Sequence, residues 1–234
     1  MMNEKLIRTA LLLGNDNVEK LKNSRVALFG VGGVGSYTLE ALVRSGVGNI
    51  DVYDSDTVDI TNFNRQIIAV EEELGKDKAD AAVRRAKQIN KDVNINGFKM
   101  FYLPENADCV DLSKYDCIVD AIDTVTAKIE LIVRAERLGV PIISAMGTGN
   151  KLDPTCLKVT DIYKTENCPL ARVMRRELKN RGIKKLKVVY SAETPARIQA
   201  ETINGKHSPA SAVFVPAAAG IYVAAEVIKK LCNF

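Results

Sequence analysis

Short apolar runs alternate with amphipathic stretches through the first two thirds of the chain. Arg25–Phe29 is an apolar run that ends in glycines, and Ser36–Arg44 carries apolar residues at helical spacing. A strand, a tight turn and a helix are therefore predicted in that order. The alternation continues along the chain. Further strands are predicted at Asn49–Tyr53, Val93–Met100, Tyr115–Asp120 and Pro141–Ala145, and further helices at Gly75–Asn90 and Thr124–Leu138. This order predicts a doubly wound, mostly parallel α/β sheet that binds ligands at the carboxyl ends of its strands.

The pattern is looser in the last third of the chain, and the polar stretch 193–208 is expected to form a loop. The remaining predicted elements are strands at Leu157–Ile162 and Leu186–Ser191 and a basic helix at Pro169–Arg181. The stretch Ser211–Lys230 is predicted to begin as a strand or loop and to become an alanine-rich helix. We therefore expect one domain over residues 1–234, with a core at 24–150 and a C-terminal lobe at 151–234.

Amino-acid composition narrows the expected cellular location of the protein. The 234 residues are 47% hydrophobic, which is enough for one sizeable core. The five cysteines form no Cys-x-x-Cys pair, so neither a disulfide framework nor a tetrathiolate zinc site is predicted, and we expect a cytoplasmic protein. The N-terminal apolar stretches are too short for a signal peptide, and 210–228 is interrupted by Pro216 and Glu226. We therefore expect no stable membrane insertion.

The net charge of +4 is concentrated in one basic segment, which we define as residues 172–187. It contains Glu177 as its single acidic residue. Its cations are Arg172, Arg175, Arg176, Lys179, Arg181, Lys184, Lys185 and Lys187. A solvated helix face followed by a charged loop would explain this composition, and so would a surface that binds a phosphate backbone.

A glycine-rich turn follows the first predicted strand. Gly30, Gly32, Gly33 and Gly35 satisfy the GxGxxG pattern, which permits a tight turn and close approach of the backbone to phosphate in a Rossmann-like fold. Asp54 closes the second strand 19 residues after Gly35, where a carboxylate accepts hydrogen bonds from ribose. Both features suit NAD and ATP equally.

The residues after Asp54 favour ATP. Asp56, Asn62, Arg65 and Gln66 follow within twelve positions, and a pocket for hydride transfer requires no such set. Arg65, and Lys78 thirteen residues later, would neutralise charge that develops on phosphates during nucleotidyl transfer.

Two carboxylates, Asp120 and Asp123, close the fourth strand. Asp123 would hold Mg²⁺ together with water and phosphate oxygens. Jointly with the cations, they favour an ATP site over an NAD site.

These motifs resemble those of the ubiquitin-activating-enzyme-like adenylating superfamily. The resemblance rests on the GxGGxG turn, the D-x-D-x-V-x-x-x-N-x-x-R-Q run from Asp54, the G-x-x-K of Gly75–Lys78 and the D-x-x-D of Asp120–Asp123. It implies that a substrate carboxylate attacks the α-phosphate of ATP to give an acyl adenylate. The implied roles are ribose binding by Asp54, phosphate binding by Asn62, Arg65 and Lys78, and Mg²⁺ binding by Asp123. It also implies a homodimer in which Arg8 reaches the phosphates of the partner.

The second half of the chain is similar to the tRNA threonylcarbamoyladenosine dehydratases. The likeness rests on Gly147-Thr-Gly149, Leu152-Asp-Pro154, Val159-Thr-Asp161, Asn167-Cys-Pro-Leu-Ala171 and Val189-Tyr-Ser-Ala-Glu193. It implies an ATP-dependent enzyme that cyclises the threonylcarbamoyl group of tRNA, with the basic segment on the tRNA and a sulfur-transfer protein as a possible partner. The C-terminal lobe would then contact tRNA and pack the dimer.

Three alternatives remain open. One is an adenylyltransferase that activates the C-terminus of a sulfur-carrier or ubiquitin-like protein. The others are a non-catalytic nucleotide-binding scaffold, which the co-occurrence of Arg65, Lys78 and Asp123 disfavours, and an NAD dehydrogenase. Cys168 is a candidate thioester acceptor, but we favour a structural or substrate-lining role because ring closure within the substrate needs no enzyme thiol.

Overall fold

A seven-stranded sheet organises the fold. The computed structural model describes residues 4–196, 202–203, 206–207 and 209–234. The strands are β1 Arg25–Phe29, β2 Asn49–Asp54, β3 Asn94–Lys99, β4 Cys117–Asp120, β5 Ile142–Ala145, β6 Leu157–Asp161, β7 Lys187–Ser191, β8 Thr202–Ile203 and β9 Lys206–His207. The α-helices are α1 Ile7–Leu13, α2 Asn15–Asn23, α3 Gly35–Ser45, α4 Lys78–Ile89, α5 Val125–Leu138, α6 Pro169–Asn180 and α7 Phe214–Cys232.

The strand order in the main sheet is β3-β2-β1-β4-β5-β7-β6. Every neighbouring pair is parallel except β6 and β7, which pair antiparallel. The prediction of a doubly wound, mostly parallel Rossmann-like sheet is confirmed. The chain order reverses between β1 and β4, and such a switch point opens a crevice at the carboxyl ends of the strands.

Helices cover both faces of the sheet because the central strands are apolar on both faces. In β1, Val26 and Leu28 pack in one apolar cluster with residues of α3, α4 and α7. Ala27 and Phe29 pack in a second cluster with residues of α5. A third cluster joins α5, α6 and β7. Because β7 pairs with β5 and α7 packs against α3, the residues after 150 continue the same sheet and core.

The structure differs from the sequence-based expectations at three places. Helix α4 begins at Lys78 rather than at Gly75, since Gly75 has φ +78° and Asp77 is extended. Part of the stretch 193–208, expected to be a loop, forms the antiparallel pair β8 and β9, while 197–201, 204–205 and 208 lie outside the described residues. Helices α1 and α2 were not predicted. Within the described ranges, no helix combines the length and apolar character needed to cross a bilayer.

Candidate active site

A cleft of about 960 Å³ lies at the carboxyl ends of β1, β2, β4 and β5. It coincides with the switch point between β1 and β4. Parallel strands direct their carboxyl ends, and the loops that follow, to one edge of the sheet. Residues distant in sequence therefore meet there.

The glycine turn between β1 and α3 forms one wall of the cleft. Gly30 has φ +87°, and its N–H donates to the Tyr53 carbonyl at 2.8 Å. A Cβ on Gly35 would lie 1.8 Å from the Gly30 carbonyl oxygen. Only glycine permits this turn, which places the N-terminus of α3 at the cleft. The unpaired N–H groups and positive dipole end of a helix favour phosphate there.

Asp54, the last residue of β2, connects this turn to the next loop. One carboxylate oxygen accepts the Val31 N–H at 2.7 Å, and the other accepts the Asp56 N–H at 2.9 Å. Burial raises the pKa of this carboxyl, while the two hydrogen bonds act in the opposite direction. Asp54 lines the cleft, as a residue that binds ribose hydroxyls must.

The segment from Asp59 to Gln66 forms a second wall. The Asp59 carboxylate accepts the Thr61 N–H at 2.8 Å, and Asn62 Oδ1 accepts the Asp59 N–H at 3.2 Å. Arg65 donates to the Thr61 carbonyl at 2.8 Å. Among the described residues, the buried Gln66 Oε1 has no hydrogen-bond partner. A bound polar ligand would supply one.

Lys78 begins α4 with its side chain only 7% exposed. Its ammonium lies 2.7 Å from a carboxylate oxygen of Asp56, whose side chain is 65% exposed. Both residues line the cleft. Because Asp56 can move into solvent, this pairing leaves Lys78 able to exchange its partner for a phosphate.

The two carboxylates after β4 have different surroundings. Asp123 is exposed and lines the cleft, with the Thr124 hydroxyl 3.3 Å away. Asp120 is fully buried, 2.9 Å from the Lys128 ammonium, and also accepts a hydrogen bond from the Ser144 hydroxyl. Asp123 is thus the carboxylate available to a cation, and carboxylate oxygens are the ligands that Mg²⁺ prefers.

Sequence reasoning missed Lys128. Its ammonium also donates to the carbonyls of Ile122 at 3.1 Å and Ala145 at 2.8 Å. One signal was available, because Lys128 shares the helical spacing of the buried Leu131, Ile132 and Ala135 of α5. A lysine on an apolar helix face indicates a buried partner.

Arg8 and the basic segment lie outside the walls of this cleft. Arg8 is exposed on α1. Helix α6 connects the basic segment to the cleft, since Cys168 and Leu170 at its start are lining residues. Cys168 is buried, and its sulfur accepts the Ala171 N–H at 3.5 Å as the N-cap of α6.

Half of the cations of the basic segment are held by other groups of the protein. Arg175 bonds to Thr165, Arg176 and Arg181 pair with Glu177, and Lys187 pairs with Glu226 at 2.7 Å. The others are exposed and have no ion pair within the described ranges, namely Arg172, Lys179, Lys184 and Lys185.

The fold and this cleft define a Rossmann-like nucleotide-binding protein with Arg65 and Lys78 in the wall of its cleft. The chain belongs to the ThiF family, whose sequence pattern matches residues 4–234. It is 40% identical to tRNA threonylcarbamoyladenosine dehydratase of Bacillus subtilis, over 96% of this chain and 93% of that protein. The resemblance expected from the motifs is confirmed.

Comparison with solved structures supports the same family assignment. Escherichia coli tRNA N6-threonylcarbamoyladenosine dehydratase in complex with AMP superimposes with a TM-score of 0.89 at 32% identity, covering 97% of this chain and 93% of that one. The same enzyme in complex with ATP gives a TM-score of 0.88 at 31% identity, covering 98% and 94%.

Proposed function

We propose that this protein is an ATP-dependent tRNA threonylcarbamoyladenosine dehydratase that acts through an acyl adenylate. One observation carries the proposal. In a chain 40% identical to such a dehydratase, a single switch-point cleft collects Asp54, Arg65, Lys78 and Asp123. These residues supply a ribose acceptor, two cations for phosphate and a carboxylate for Mg²⁺.

In the first step, ATP lies with its phosphates at the glycine turn and its ribose at Asp54. Asn62, Arg65 and Gln66 hold the phosphates from the second wall. The threonyl carboxylate of the modified adenosine attacks the α-phosphorus, a new P–O bond forms, and pyrophosphate leaves. Lys78 and Arg65 stabilise the charge that develops on the phosphate oxygens. Mg²⁺ held by Asp123 would neutralise further phosphate charge when bound.

In the second step, a nitrogen of the same threonylcarbamoyl group attacks the activated carbonyl. The ring closes, the nitrogen loses its proton and AMP leaves, for a net loss of water. Nucleophile and electrophile belong to one group, so closure avoids the entropy cost of bringing two molecules together. A covalent intermediate on Cys168 is unnecessary, and that sulfur is already buried at the start of α6.

The exposed cations of the basic segment suit tRNA as the partner. Arg172, Lys179, Lys184 and Lys185 lie on α6 and the loop after it, and α6 starts at the cleft. A polyanion bound along this face would be directed towards the reacting groups.

We further propose a homodimer in which Arg8 contributes to the partner's phosphate site. Leu11 and Leu12 on α1 are 82% and 84% exposed, and Ile221 and Tyr222 on α7 are also exposed. Large exposed apolar side chains of this kind favour a protein interface.

The test uses tRNA that carries threonylcarbamoyladenosine, incubated with the protein, ATP and Mg²⁺, followed by nucleoside mass analysis at mild pH. The expected result is loss of one water from the modified nucleoside, abolished in Asp123→Ala. Asp92→Ala, which removes an exposed carboxylate outside the cleft lining, serves as the matched control and retains activity. An unchanged nucleoside, with pyrophosphate released only after a small sulfur-carrier protein is added, would replace the proposal with the adenylyltransferase alternative.

A further inference from the structure

Lys151 is a buried cation in the wall of the cleft that the motifs do not explain. It lies in the loop after β5, is 4% exposed and lines the cleft. Its ammonium donates to the Ser191 carbonyl at the end of β7, at 2.6 Å. An ammonium group has three donors, and this is the single hydrogen bond of Lys151 among the described residues.

No carboxylate of the described part of the chain forms an ion pair with Lys151. Glu193 lies near enough to influence the pKa of Lys151. Its carboxylate, however, accepts hydrogen bonds from the backbone N–H groups of Leu152 and Asp153 at 2.9 to 3.0 Å. Burial lowers the pKa of Lys151, and electrostatic interactions with Cys168, Glu193 and Cys156 act in the opposite direction. A buried ammonium without an anion is unfavourable, so a ligand that supplies one would be stabilised.

The position of Lys151 indicates which ligand supplies the anion. Three cationic side chains line the cleft within the described residues, namely Arg65, Lys78 and Lys151. Arg65 and Lys78 follow β2, on the side of the glycine turn. Lys151 lies on the opposite side, by β5 and β7, and β4 with Asp123 lies between the two sides. Phosphates at the glycine turn would thus have Arg65 and Lys78 as their cations, which leaves Lys151 for a group that enters from the opposite side.

The start of α6 supports the same direction of entry. Cys168, Pro169 and Leu170 line the cleft on this side, and the exposed cations of the basic segment begin at Arg172 on the same helix. Nucleic acid bound along α6 would present its modified base next to Lys151.

We infer that Lys151 binds the carboxylate of the substrate before that carboxylate attacks the α-phosphate. This inference rests on the proposed function. The ammonium pairs with one carboxylate oxygen and leaves the other free for attack, so that a P–O bond to AMP forms as the bond to pyrophosphate breaks. No proton moves to or from Lys151 in this step. Lys151 is therefore a substrate-binding residue on the side opposite the nucleotide.

The test compares wild type with Lys151→Gln, whose amide still donates to Ser191, and with Lys151→Met, which has neither charge nor donor. Lys158→Met removes an exposed lysine of β6, paired with Glu166 at 3.0 Å, and is the matched control. Two probes compete with modified tRNA in the dehydration assay, the nucleoside N6-threonylcarbamoyladenosine and its carboxamide, which lacks the negative charge. ATP affinity is measured separately without tRNA, and thermal melting checks folding.

Wild type and Lys158→Met are expected to bind the carboxylate probe more tightly than the carboxamide, by about 10- to 100-fold for a charge-assisted hydrogen bond. Lys151→Gln and Lys151→Met lose that preference and show a similar fall in kcat/KM for modified tRNA, with unchanged ATP affinity. Folded variants that keep the preference, or that lose ATP affinity in parallel, would overturn the inference. Failure of the proposed function is recognised separately, because wild type itself would then remove no water.

Discussion

The ammonium group of Lys128 lies 2.9 Å from the carboxylate of Asp120, and both side chains are completely buried beneath the cleft. The same ammonium donates to the carbonyls of Ile122 and Ala145. The pair therefore joins the end of β4, the loop that carries Asp123 and the end of β5. A buried ion pair of this kind is costly to break, because removal of one partner leaves the other charge in a medium of low polarity.

Lys128→Met is expected to lower the free energy of unfolding by about 3–5 kcal/mol, since it leaves the Asp120 carboxylate buried and unpaired. Urea denaturation measures the change. Lys158→Met removes one partner of an exposed pair, and its cost should stay below about 1 kcal/mol. The double variant Lys128→Met/Asp120→Leu should recover part of the loss. Equal stability of Lys128→Met and Lys158→Met would contradict this account.

Lys78→Ala is expected to reduce kcat about 100- to 1000-fold, because it removes a cation placed for phosphate charge in the transition state. Lys76→Ala is a close control, as Lys76 is two residues away with its side chain 51% exposed. Single-turnover formation of AMP from ATP and modified tRNA would measure both. Similar losses in the two variants would assign the effect to the start of α4 as a whole.

Gly35→Ala and Gly32→Ala should separate folding from nucleotide binding. A methyl group on Gly35 would lie 1.8 Å from the Gly30 carbonyl oxygen, whereas on Gly32 the nearest atom is Gln66 Nε2 at 3.9 Å. Gly35→Ala should therefore lose at least about 1–3 kcal/mol of the free energy of unfolding. Gly32→Ala should keep its stability and bind ATP more weakly, because its methyl group enters the cleft. Urea midpoints and ATP titrations test this pair, and a stable Gly35→Ala would be inconsistent with the observed turn.

ATP affinity should fall on acidification at a higher pH than an exposed aspartate would cause. Burial raises the pKa of Asp54, and the charged carboxylate is the form that accepts hydrogen bonds from ribose. As the pH falls through this raised pKa, Asp54 takes up a proton and the affinity decreases. Asp54→Asn should bind ATP weakly without that dependence. If its affinity follows pH as the wild type does, another group is responsible.

Lys184→Ala/Lys185→Ala should weaken tRNA binding and reduce the slope of log affinity against log salt by about 1 for each phosphate that is no longer neutralised. Lys91→Ala, an exposed lysine in the loop before β3, should leave both quantities unchanged. Filter binding at several salt concentrations provides the measurement. A wild-type slope in the double variant would favour the solvated-surface interpretation of these lysines.

Much of the fold was predictable because its signals are local. Strands β1, β2, β4 and β5 lie at the apolar runs, and β3 lies at a stretch of alternating apolar and polar residues. Helix α5 ends at Gly139 in the left-handed conformation expected of a helix C-cap. The same holds for the side of the cleft beside the glycine turn. A parallel sheet brings the carboxyl ends of its strands to one edge, so Asp54, Lys78 and Asp123 could be placed together from their order in the chain.

Predictions from local sequence patterns were incomplete where the exposure of a side chain depends on packing against distant parts of the chain. The apolar Leu11 and Leu12 of α1 are almost fully exposed, and neither α1 nor α2 was predicted. Segment 193–208 looked like a loop because its composition is polar, yet β8 and β9 pair within it. Composition alone could not show which backbone segments would find a hydrogen-bonded partner.

The sequence by itself determined the order of the strands β1–β7 and the helices between them, the glycine turn, and the residues that line the cleft beside that turn, because periodicity and glycine placement act over a few neighbouring positions. Tertiary structure alone decided that Lys128 pairs with Asp120, that Lys187 is held by Glu226 of α7, and that Lys151 is buried without a counter-ion among the described residues. The physical reason is that the energy of a charge depends on its solvent exposure and on partners brought from elsewhere in the chain, and neither is encoded at the position of the charge itself.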